Sequence, residues 1–445
     1  MVSASTNDPN LANNRSTQTT QINDRTAEQI SDLLEEAAVD PASEAALPVV
    51  SAECADPSSA LADVCDEILD AADDGRTGEV TDALRAIAPD EVLAQQLVLR
   101  EIATTQFFNV DARLNELRRG GGGFSLSGLT VNSGGQSIPL SLAGDALQAA
   151  LGYGDDEGGL ISPWGFFVNG NITDGKQDLR NASGRVGVDY SSRGITAGVD
   201  YRLSNRSVVG AALGYAKFTS DVNTGSELDA KSLLLTGYGS YYVNDRFYVD
   251  TRLTYGNVKL DQSRSIRFQI GGMQVDELAR GDADSTQLTL ATSMGYHLNY
   301  GAWTVTPNLG LRYIRNDVDA FTETGAGAYN VSYRDQSFKT TQATLGLQIG
   351  RAVSLDTGVL MPQFDFSLIS ENSDDPRAQA SLANGSSSQL FRLDQQGSDS
   401  SYGSAGLGFV YLMANGRQAY ISYRHTFGND DFDRGSLNLG GRFEF

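Results

Sequence analysis

Lysine, histidine and cysteine are scarce in this chain of 445 residues, and long apolar runs are missing from it. Only 5 of its 33 basic residues are lysines, and 56 acidic residues give a formal net charge of −23. A chain this acidic lacks the basic surface that binds a nucleic-acid backbone, so nucleic acid is excluded as a partner. Because no run of about 18 apolar residues occurs, a transmembrane helix is also excluded. A transmembrane β-barrel is not excluded, since its strands are apolar only at every second position.

The negative charge is concentrated in the first quarter of the chain. Residues 1–120 hold 23 acidic residues and 8 arginines, a net charge of −15. Four prolines interrupt residues 1–75. We expect this acidic N-terminal segment to be partly disordered or to form short helices, near residues 26–38 and 57–72.

The two cysteines, Cys54 and Cys65, are separated by ten residues. A metal or redox site is disfavoured, because the sequence has no CxxC motif and no histidine near them. We therefore expect a small disulfide loop, formed in an oxidising compartment. No cofactor is expected.

Residues 76–119 are predicted to form a helical linker. Acidic residues follow Pro89 and arginines precede Gly120, which is the polarity that the helix macrodipole favours. Its apolar residues recur at steps of three and four and form a packing face: Leu99, Ala103, Phe107, Val110, Leu114 and Leu117. A helix over residues 90–118 would be roughly 40 Å long. Residues 120–162 are rich in glycine and serine and are predicted to be a connector, with a short helix near 142–151.

From residue 163 to the end, the apolar pattern has a period of two. Phe247 and Val249, for example, share one face, while Tyr248 and Asp250 share the other. Most such segments run for ten residues or more, a length that suits a tilted strand crossing a bilayer. Twelve segments begin near residues 164, 194, 207, 231, 246, 286, 303, 340, 359, 402, 417 and 435.

The connections between these segments alternate in length. Short turns such as Ser204-Asn205 follow the even-numbered segments, whereas odd-numbered segments precede long polar connections, such as residues 261–285, 317–337 and 371–399. This alternation is typical of a barrel whose two rims face the periplasm and the outside. We therefore predict an all-β fold, a 12-stranded antiparallel transmembrane β-barrel over residues 163–445 with an α-helical N-terminal segment. Pro307 and Pro362 fall inside strands, where a bulge is expected.

Charged residues recur at the positions whose parity points toward the barrel lumen. Positive and negative residues are mixed, so mutual pairing and contacts with a helix inside the lumen are favoured over ion selectivity. The predicted lumen charges are Asp200, Arg202, Asp250, Arg252, Arg312, Asp365, Arg424, Arg442 and Glu444.

The last residues resemble the β-signal of outer-membrane proteins. The ending matches polar-x-Gly-x-x-aromatic-x-aromatic, with Asn438, Gly440, Phe443 and Phe445 at the defining positions. Together with twelve strands behind a helix, this ending makes residues 163–445 similar to the β-domain of autotransporters (type V secretion). The resemblance implies assembly by the barrel assembly machinery and periplasmic chaperones. It also implies a monomeric barrel in contact with outer-membrane lipid and lipopolysaccharide.

The resemblance also suggests a role for the helical linker. In this family a helix threads the pore ahead of the first strand, and a 12-stranded lumen should hold one helix. The residues expected to form the plug are Phe107, Asn109, Arg113, Leu114, Leu117 and Arg118. Family members that cleave themselves inside the pore use an Asn-Asn pair just upstream of this pattern. The matching pair here is Phe108-Asn109, so self-cleavage is not implied.

No sequence motif indicates catalysis. The chain has two histidines, His297 and His425, and Ser293 is about 13 Å from His297 along an extended strand. We therefore expect a non-enzymatic translocator barrel in the bacterial outer membrane that anchors or exports the small N-terminal segment. One alternative is an outer-membrane channel gated by its N-terminal helical region. A second alternative is a hydrolase in the barrel wall.

Overall fold

The computed structural model describes most of the chain. The described residues are 25–120, 130–133, 136–139, 164–181, 184–222, 224–373, 377–394, 401–413, 417–429 and 432–444. The first 24 residues, the short helix expected near 142–151 and the terminal Phe445 lie outside this part.

The described part contains five α-helices and twenty strands. The helices are α1 (Ala27–Leu34), α2 (Pro41–Cys54), α3 (Ala62–Asp73), α4 (Thr77–Ile87) and α5 (Ala94–Gly120). The strands are β1 (Thr130–Ser133), β2 (Gln136–Pro139), β3 (Trp164–Asn181), β4 (Gly184–Ser204), β5 (Ser207–Val222), β6 (Glu227–Tyr242), β7 (Phe247–Ile270), β8 (Met273–Tyr296), β9 (Leu298–Tyr300), β10 (Trp303–Val318), β11 (Phe321–Thr322), β12 (Val331–Tyr333), β13 (Gln336–Arg351), β14 (Val353–Leu355), β15 (Gly358–Ser373), β16 (Arg377–Leu382), β17 (Phe391–Asp394), β18 (Ser401–Met413), β19 (Gln418–Phe427) and β20 (Phe432–Glu444).

Twelve of these strands form a closed antiparallel barrel, which confirms the predicted fold. Their order is β3-β4-β5-β6-β7-β8-β10-β13-β15-β18-β19-β20, with β9 and β14 continuing β8 and β13. The last strand pairs with the first, for example at Asn438↔Asn171, so the sheet has no free edge. Short turns join the strands at one rim, which we call the short-turn rim. The opposite end is the long-loop rim.

Two of the predicted long loops carry a second sheet above the long-loop rim. Strands β11, β12, β16 and β17 form a four-stranded sheet from the β10–β13 and β15–β18 connections. The prediction of a loop over residues 261–285 is wrong. β7 and β8 pair continuously from Phe247↔Tyr296 to Ile270↔Met273 and turn at Gly271-Gly272. Charged residues on both faces of this hairpin obscure its period of two, because it rises beyond the apolar part of the barrel.

The two prolines inside strands interrupt hydrogen bonding without shifting the register. Pairing of β10 runs to Asn308↔Gly295 and resumes at Val305↔Leu298 in the same register, with Pro307 in the gap. Pro362 lies in the equivalent gap between β13 and β14. The expected bulges are therefore absent from these two described ladders, and each proline only removes a donor.

The helices α1–α4 and the short 3-10 turn at Asp90–Leu93 form a helical cap, residues 25–93, on the long-loop rim. Its core includes Ile30, Val50 and Ile68 and is continuous with that of the β7–β8 hairpin and the four-stranded sheet. α2 was not predicted, because Pro41 and Pro48 suggested an interruption. Pro41 instead occupies the first turn after the capping box of Asp40 and Ser43, where its missing N–H costs nothing.

The predicted single linker over residues 76–119 is divided into two helices. Ala88 is extended (φ −64°, ψ 131°), as expected for a residue that precedes proline, and the chain changes direction at Pro89. α4 therefore belongs to the cap, whereas α5 enters the barrel. Among the described residues, no helix combines the length and apolarity needed to cross a membrane.

Candidate functional site: the helix-filled lumen

The barrel has an apolar outer face and a polar inner face. Leucines at alternate positions point outward and are about half exposed, including Leu213, Leu235, Leu253, Leu311 and Leu407. Their inward neighbours are buried polar residues, including Asn169, Thr196, Thr236, Asp250 and Arg312. A water-soluble barrel would have polar residues on its outer face and apolar residues inside. The observed pattern is therefore that of a barrel embedded in lipid.

α5 runs through the lumen with its amino end at the long-loop rim. Near that end, Arg100 binds Glu371 at 2.8 Å and Glu101 binds Arg434 at 2.9 Å. Near the carboxyl end, Arg118 pairs with Asp250, close to the start of β7 at the short-turn rim. The part of the predicted plug helix that enters the lumen is therefore α5, whereas the residues before Ala94 belong to the cap.

α5 forms a buried ion pair with the barrel wall between Arg113 and Asp200. The fully buried Arg113 guanidinium donates to both Asp200 carboxylate oxygens, at 2.7 and 2.9 Å, and to Glu116 at 3.2 Å. The Tyr238 hydroxyl donates to Asp200 at 3.1 Å. The guanidinium also lies 5.3 Å from the centre of the Phe167 ring. A charge at this depth is tolerated because a bidentate partner compensates its lost hydration.

Two phenylalanines on α5 are surrounded by arginines of the barrel wall. Arg252 and Arg312 lie 4.4 and 4.6 Å from the centre of the Phe107 ring. Arg424 and Arg434 lie 4.5 and 5.2 Å from the centre of the Phe108 ring. Aromatic faces attract cations, so these rings hold the wall arginines against the helix. Asp111 adds an ion pair to Arg252 at 2.6 Å, and Asp365 pairs with Arg424 at 3.1 Å.

Small and polar wall residues bring α5 close to strands β3–β6. The Asn169 side chain donates to the Asn109 backbone carbonyl at 2.7 Å, and the Asn109 side chain donates to Thr196 at 3.0 Å. Thr105 lies against Gly194, where a Cβ would overlap the threonine methyl group. Leu114 and Leu117 pack beside Phe167 in a small buried apolar cluster. The helix is therefore seated against one side of the lumen.

The cap is fixed to the rim by buried polar contacts. Glu53 accepts hydrogen bonds from the backbone N–H groups of Ser386 and Ser387, at 3.0 and 2.9 Å, and from the Ser59 hydroxyl at 2.6 Å. These bonds hold the pKa of Glu53 below its usual range, although burial opposes ionisation. Cys54 and Cys65 form a disulfide beside this glutamate.

Arg264 of β7 is the second buried anchor of the cap. It donates to both carboxylate oxygens of Glu323, at 3.1 and 2.8 Å, and to the last carbonyl groups of α4, at Ala86 and Ile87. A cation at a helix carboxyl end is favoured by the helix dipole. Neither Arg264 nor Glu323 was identified from the sequence, because both lay in segments interpreted as loops.

Most of the predicted lumen charges lie in the lumen. Asp200, Asp250, Arg252, Arg312, Asp365 and Arg424 all contact α5 or a lumen neighbour, and Arg202 is half-buried near the short-turn rim. Arg442 and Glu444 pair through their backbones with Phe167 and Gly165, and their side chains are outside the described part.

The predicted assembly signal lies on the strand that closes the barrel. The Asn438 side chain accepts from Asn171 at 2.6 Å across the β20–β3 seam, and a Cβ at Gly440 would overlap Asn169. Phe443 pairs through its backbone with Phe166.

The histidines have no catalytic arrangement with Ser293. His297 Nδ1 is 2.9 Å from the Thr306 hydroxyl, and its ring stacks on Tyr248 at 5.1 Å. The Ser293 hydroxyl instead lies 3.4 Å from Arg252. His425 is half exposed and 3.8 Å from Asp433. No group of three or more potential metal ligands occurs in the described part of the chain.

A closed antiparallel barrel with an apolar outer face and a polar, helix-filled lumen is the architecture of an outer-membrane protein. The family model described as the autotransporter beta-domain matches residues 166–424. The chain therefore belongs to the autotransporter family, and its barrel is an autotransporter translocator in the bacterial outer membrane.

Individual relatives are distant. The chain is 24% identical over 289 residues to esterase EstA of Pseudomonas aeruginosa, covering 64% of this chain and 43% of that protein. It is 23% identical over 209 residues to outer membrane protein B of Rickettsia japonica, covering 46% of this chain and 12% of that protein. The chain therefore spans less than half the length of these relatives.

Two solved structures are similar to the barrel. The translocator domain of autotransporter NalP from Neisseria meningitidis is 20% identical with a TM-score of 0.49, covering 69% of this chain and 96% of that chain. The β-domain of the Bordetella autotransporter BrkA is 18% identical with a TM-score of 0.43, covering 63% and 99% respectively.

Proposed function

We propose that this barrel anchors its own small helical cap at the cell surface and has no enzymatic activity. The observation that carries the proposal is the path of α5, which joins the cap at the long-loop rim to the short-turn rim through the lumen. In an outer-membrane barrel the short turns face the periplasm and the long loops face outward. The cap would then be an exported segment that stays attached.

Buried contacts of α5 and of the cap support attachment rather than release. Within the lumen, Arg113 and Asp200 form a buried bidentate pair. At the rim, Glu53 accepts hydrogen bonds from the backbone of Ser386 and Ser387. Arg264 forms a bidentate ion pair with Glu323. Breaking such buried pairs is costly, because each leaves a charge without hydration. The cap also shares one hydrophobic core with the β7–β8 hairpin.

Cysteine labelling of intact cells tests this orientation. We would introduce Val39→Cys on the cap, where the valine is 60% exposed, and add a membrane-impermeant maleimide. Gly272→Cys at the tip of the β7–β8 hairpin reports the long-loop rim, and Asn205→Cys in a short turn reports the opposite rim. The native cysteines form a disulfide and do not react.

We expect Val39→Cys and Gly272→Cys to be labelled on intact cells. Asn205→Cys should be labelled only after the outer membrane is permeabilised. If Gly272→Cys is labelled on intact cells while Val39→Cys stays protected until permeabilisation, the cap is periplasmic and the proposal fails.

The name of the relative EstA raises the possibility of esterase activity, which we do not propose for this chain. The match covers 43% of that protein. His297 contacts Thr306 and Tyr248, whereas Ser293 contacts Arg252. Purified protein is expected not to hydrolyse short-chain nitrophenyl esters. Turnover that disappears on His297→Ala and persists on His425→Ala would establish a hydrolase in the barrel wall.

The channel alternative has one observation in its favour. A cavity of about 170 Å³ lies between α5 and the wall opposite β3–β6. We nevertheless expect low conductance from the full chain in planar bilayers, because charged pairs and phenylalanines fill the rest of the lumen. A large, stable conductance that is gated by applied voltage would favour the channel.

A further inference from the structure

We infer that the lumen contains a binding site for a small oxyanion, with Arg312 as its principal charged group. The site lies in the cavity of about 170 Å³ beside α5. The α5 residues that line it extend from Arg100 to Arg118, so it runs along the helix for about 27 Å at 1.5 Å per residue. The cavity has room for several water molecules or for an anion of a few heavy atoms.

Four arginines that line this cavity, and Arg252 beside it, each have a carboxylate partner. The pairs are Arg100–Glu371, Arg118–Asp250, Arg252–Asp111, Arg424–Asp365 and Arg434–Glu101. In the described part of the chain, Arg312 has no such partner. Its Nε and Nη2 groups donate to the amide oxygen of Gln342, which is neutral.

The groups around Arg312 carry an excess of positive charge. Gln342 connects Arg312 to Glu371, but Glu371 is already bound to Arg100. The local cluster therefore contains three guanidinium groups, on Arg100, Arg312 and Arg434, and two carboxylates, on Glu101 and Glu371. Its formal charge is one positive unit, in a lumen where charges are poorly hydrated. A buried uncompensated charge is unfavourable, so a bound anion would stabilise this arrangement.

Free hydrogen-bond donors in the cluster are suited to such an anion. Arg312 is 9% exposed, and its Nη1 group has no hydrogen-bond partner among the described residues. The same holds for Nε of Arg434, which is 8% exposed. The Arg312 guanidinium lies over the Phe107 ring, 4.6 Å from its centre. Arginine presents several N–H groups in one plane, an arrangement that matches the oxygens of a phosphate or carboxylate.

Titration of the full-length protein in detergent micelles with inorganic phosphate tests this site. Calorimetry and ³¹P NMR would be recorded at constant ionic strength for the wild type, Arg312→Gln and the matched control Arg315→Gln. Arg315 is on the same strand but exposed, and it pairs with Asp317 at 2.9 Å. We expect one saturable site in the wild type and in Arg315→Gln, and at least tenfold weaker binding in Arg312→Gln.

No saturable phosphate binding by the wild type, or equal affinity in Arg312→Gln, would overturn the inference. Heat-modifiable mobility in gels shows whether each variant has a folded barrel. If Arg312→Gln does not fold, Arg312→Lys replaces it. That variant keeps the charge but loses the planar group, so binding several-fold weaker than in the wild type is expected. Unchanged affinity in Arg312→Lys would then contradict the proposed role of the guanidinium.

Discussion

At the scale of single residues, the protein depends on charges that are buried and paired inside the barrel. Arg113 has no exposed surface, and its partner Asp200 is 4% exposed. Neither residue would be stable alone in the lumen. The net stabilisation of the folded state by the intact pair is therefore small, whereas removing one partner is strongly destabilising.

Asp200→Asn should destabilise the folded barrel by about 1.5–3 kcal/mol, because Arg113 loses its bidentate acceptor and keeps Glu116 as its only carboxylate partner. Asp189→Asn on the same strand is the control, since Asp189 and Lys176 form an ion pair that is 65% and 77% exposed and should contribute little. Urea unfolding followed by gel mobility measures both. Adding Glu116→Gln to Asp200→Asn should increase the loss, because Arg113 then keeps neither carboxylate, and an unchanged loss would contradict the explanation.

Glu53 should make cap docking sensitive to acid. Hydrogen bonds from Ser59, Ser386 and Ser387 lower its pKa against the opposing effect of burial. A lowered folded pKa gives stability that is fully present above the ordinary value of about 4.3 and is lost as the pH falls through the lower folded value. The amide protons of Ser386 and Ser387 should therefore lose exchange protection below about pH 4.

Exchange must be measured at Ser386 and Ser387 themselves, because other groups change global stability in the opposite direction. Burial raises the pKa of Asp90 and Glu91, so their protonation stabilises the folded state as the pH falls. Glu53→Gln should lower protection at neutral pH and remove its acid dependence at Ser386 and Ser387. Glu44→Gln, at an exposed position of α2, should change neither. Acid dependence that is unchanged in Glu53→Gln would exclude this glutamate as its origin.

At the scale of elements, the position of α5 depends on the absence of large side chains from one side of the barrel wall. Gly194 leaves space for Thr105, and the wall nearby is polar enough to hydrogen-bond Asn109. The opposite wall carries larger arginines and leaves the cavity. α5 is therefore off-centre in the lumen because strands β3–β6 present smaller side chains.

Gly194→Val should displace α5 from β4 and increase ion conductance in planar bilayers. Valine favours strands, so the barrel strand itself should not be weakened and the effect comes from the helix contact. Gly237→Val is the control, because a Cβ at Gly237 meets nothing within 4 Å. Equal conductance in the two variants would show that Thr105 does not position the helix.

The sequence predicted the barrel well and the cap poorly, for physical reasons. Alternation is strong where one face meets lipid and the other a polar lumen, so the twelve strands were found. β7 and β8 continue for about ten residues beyond that zone, where residues such as Arg264 and Arg267 occur on both faces. The partners of the lumen charges depend on strand register, which parity does not supply. The sequence pattern assigned Arg312 to the lumen, but it could not show that Arg312 lacks a carboxylate partner.

At the scale of the whole molecule, the C-terminal strand closes the barrel and carries the proposed recognition signal. β20 is paired on both sides, with β19 and with β3, so its late docking would complete the sheet. We propose that the barrel assembly machinery, supplied by periplasmic chaperones, recognises this strand and releases a monomer into outer-membrane lipid and lipopolysaccharide.

Phe445→Ser should reduce the heat-modifiable, membrane-inserted fraction several-fold, because it removes the terminal aromatic residue of the proposed signal. Phe409→Ser is the comparison, since it removes an outward aromatic side chain that is 51% exposed on β18. The fraction is measured in isolated outer membranes by gel mobility. A larger defect in Phe409→Ser than in Phe445→Ser would argue against recognition of the C-terminus.

The cap is too wide to pass through the space that α5 occupies. A single helix with its side chains is about 10–12 Å across, whereas the cap packs four helices together, two of them joined by a disulfide. Once folded outside, it would act as a mechanical stop, and the chain could not slide back into the periplasm. Export would then be irreversible without any chemical energy source at the outer membrane. Removal of the protein from the surface would require cutting the chain, unfolding the cap or shedding the surrounding membrane.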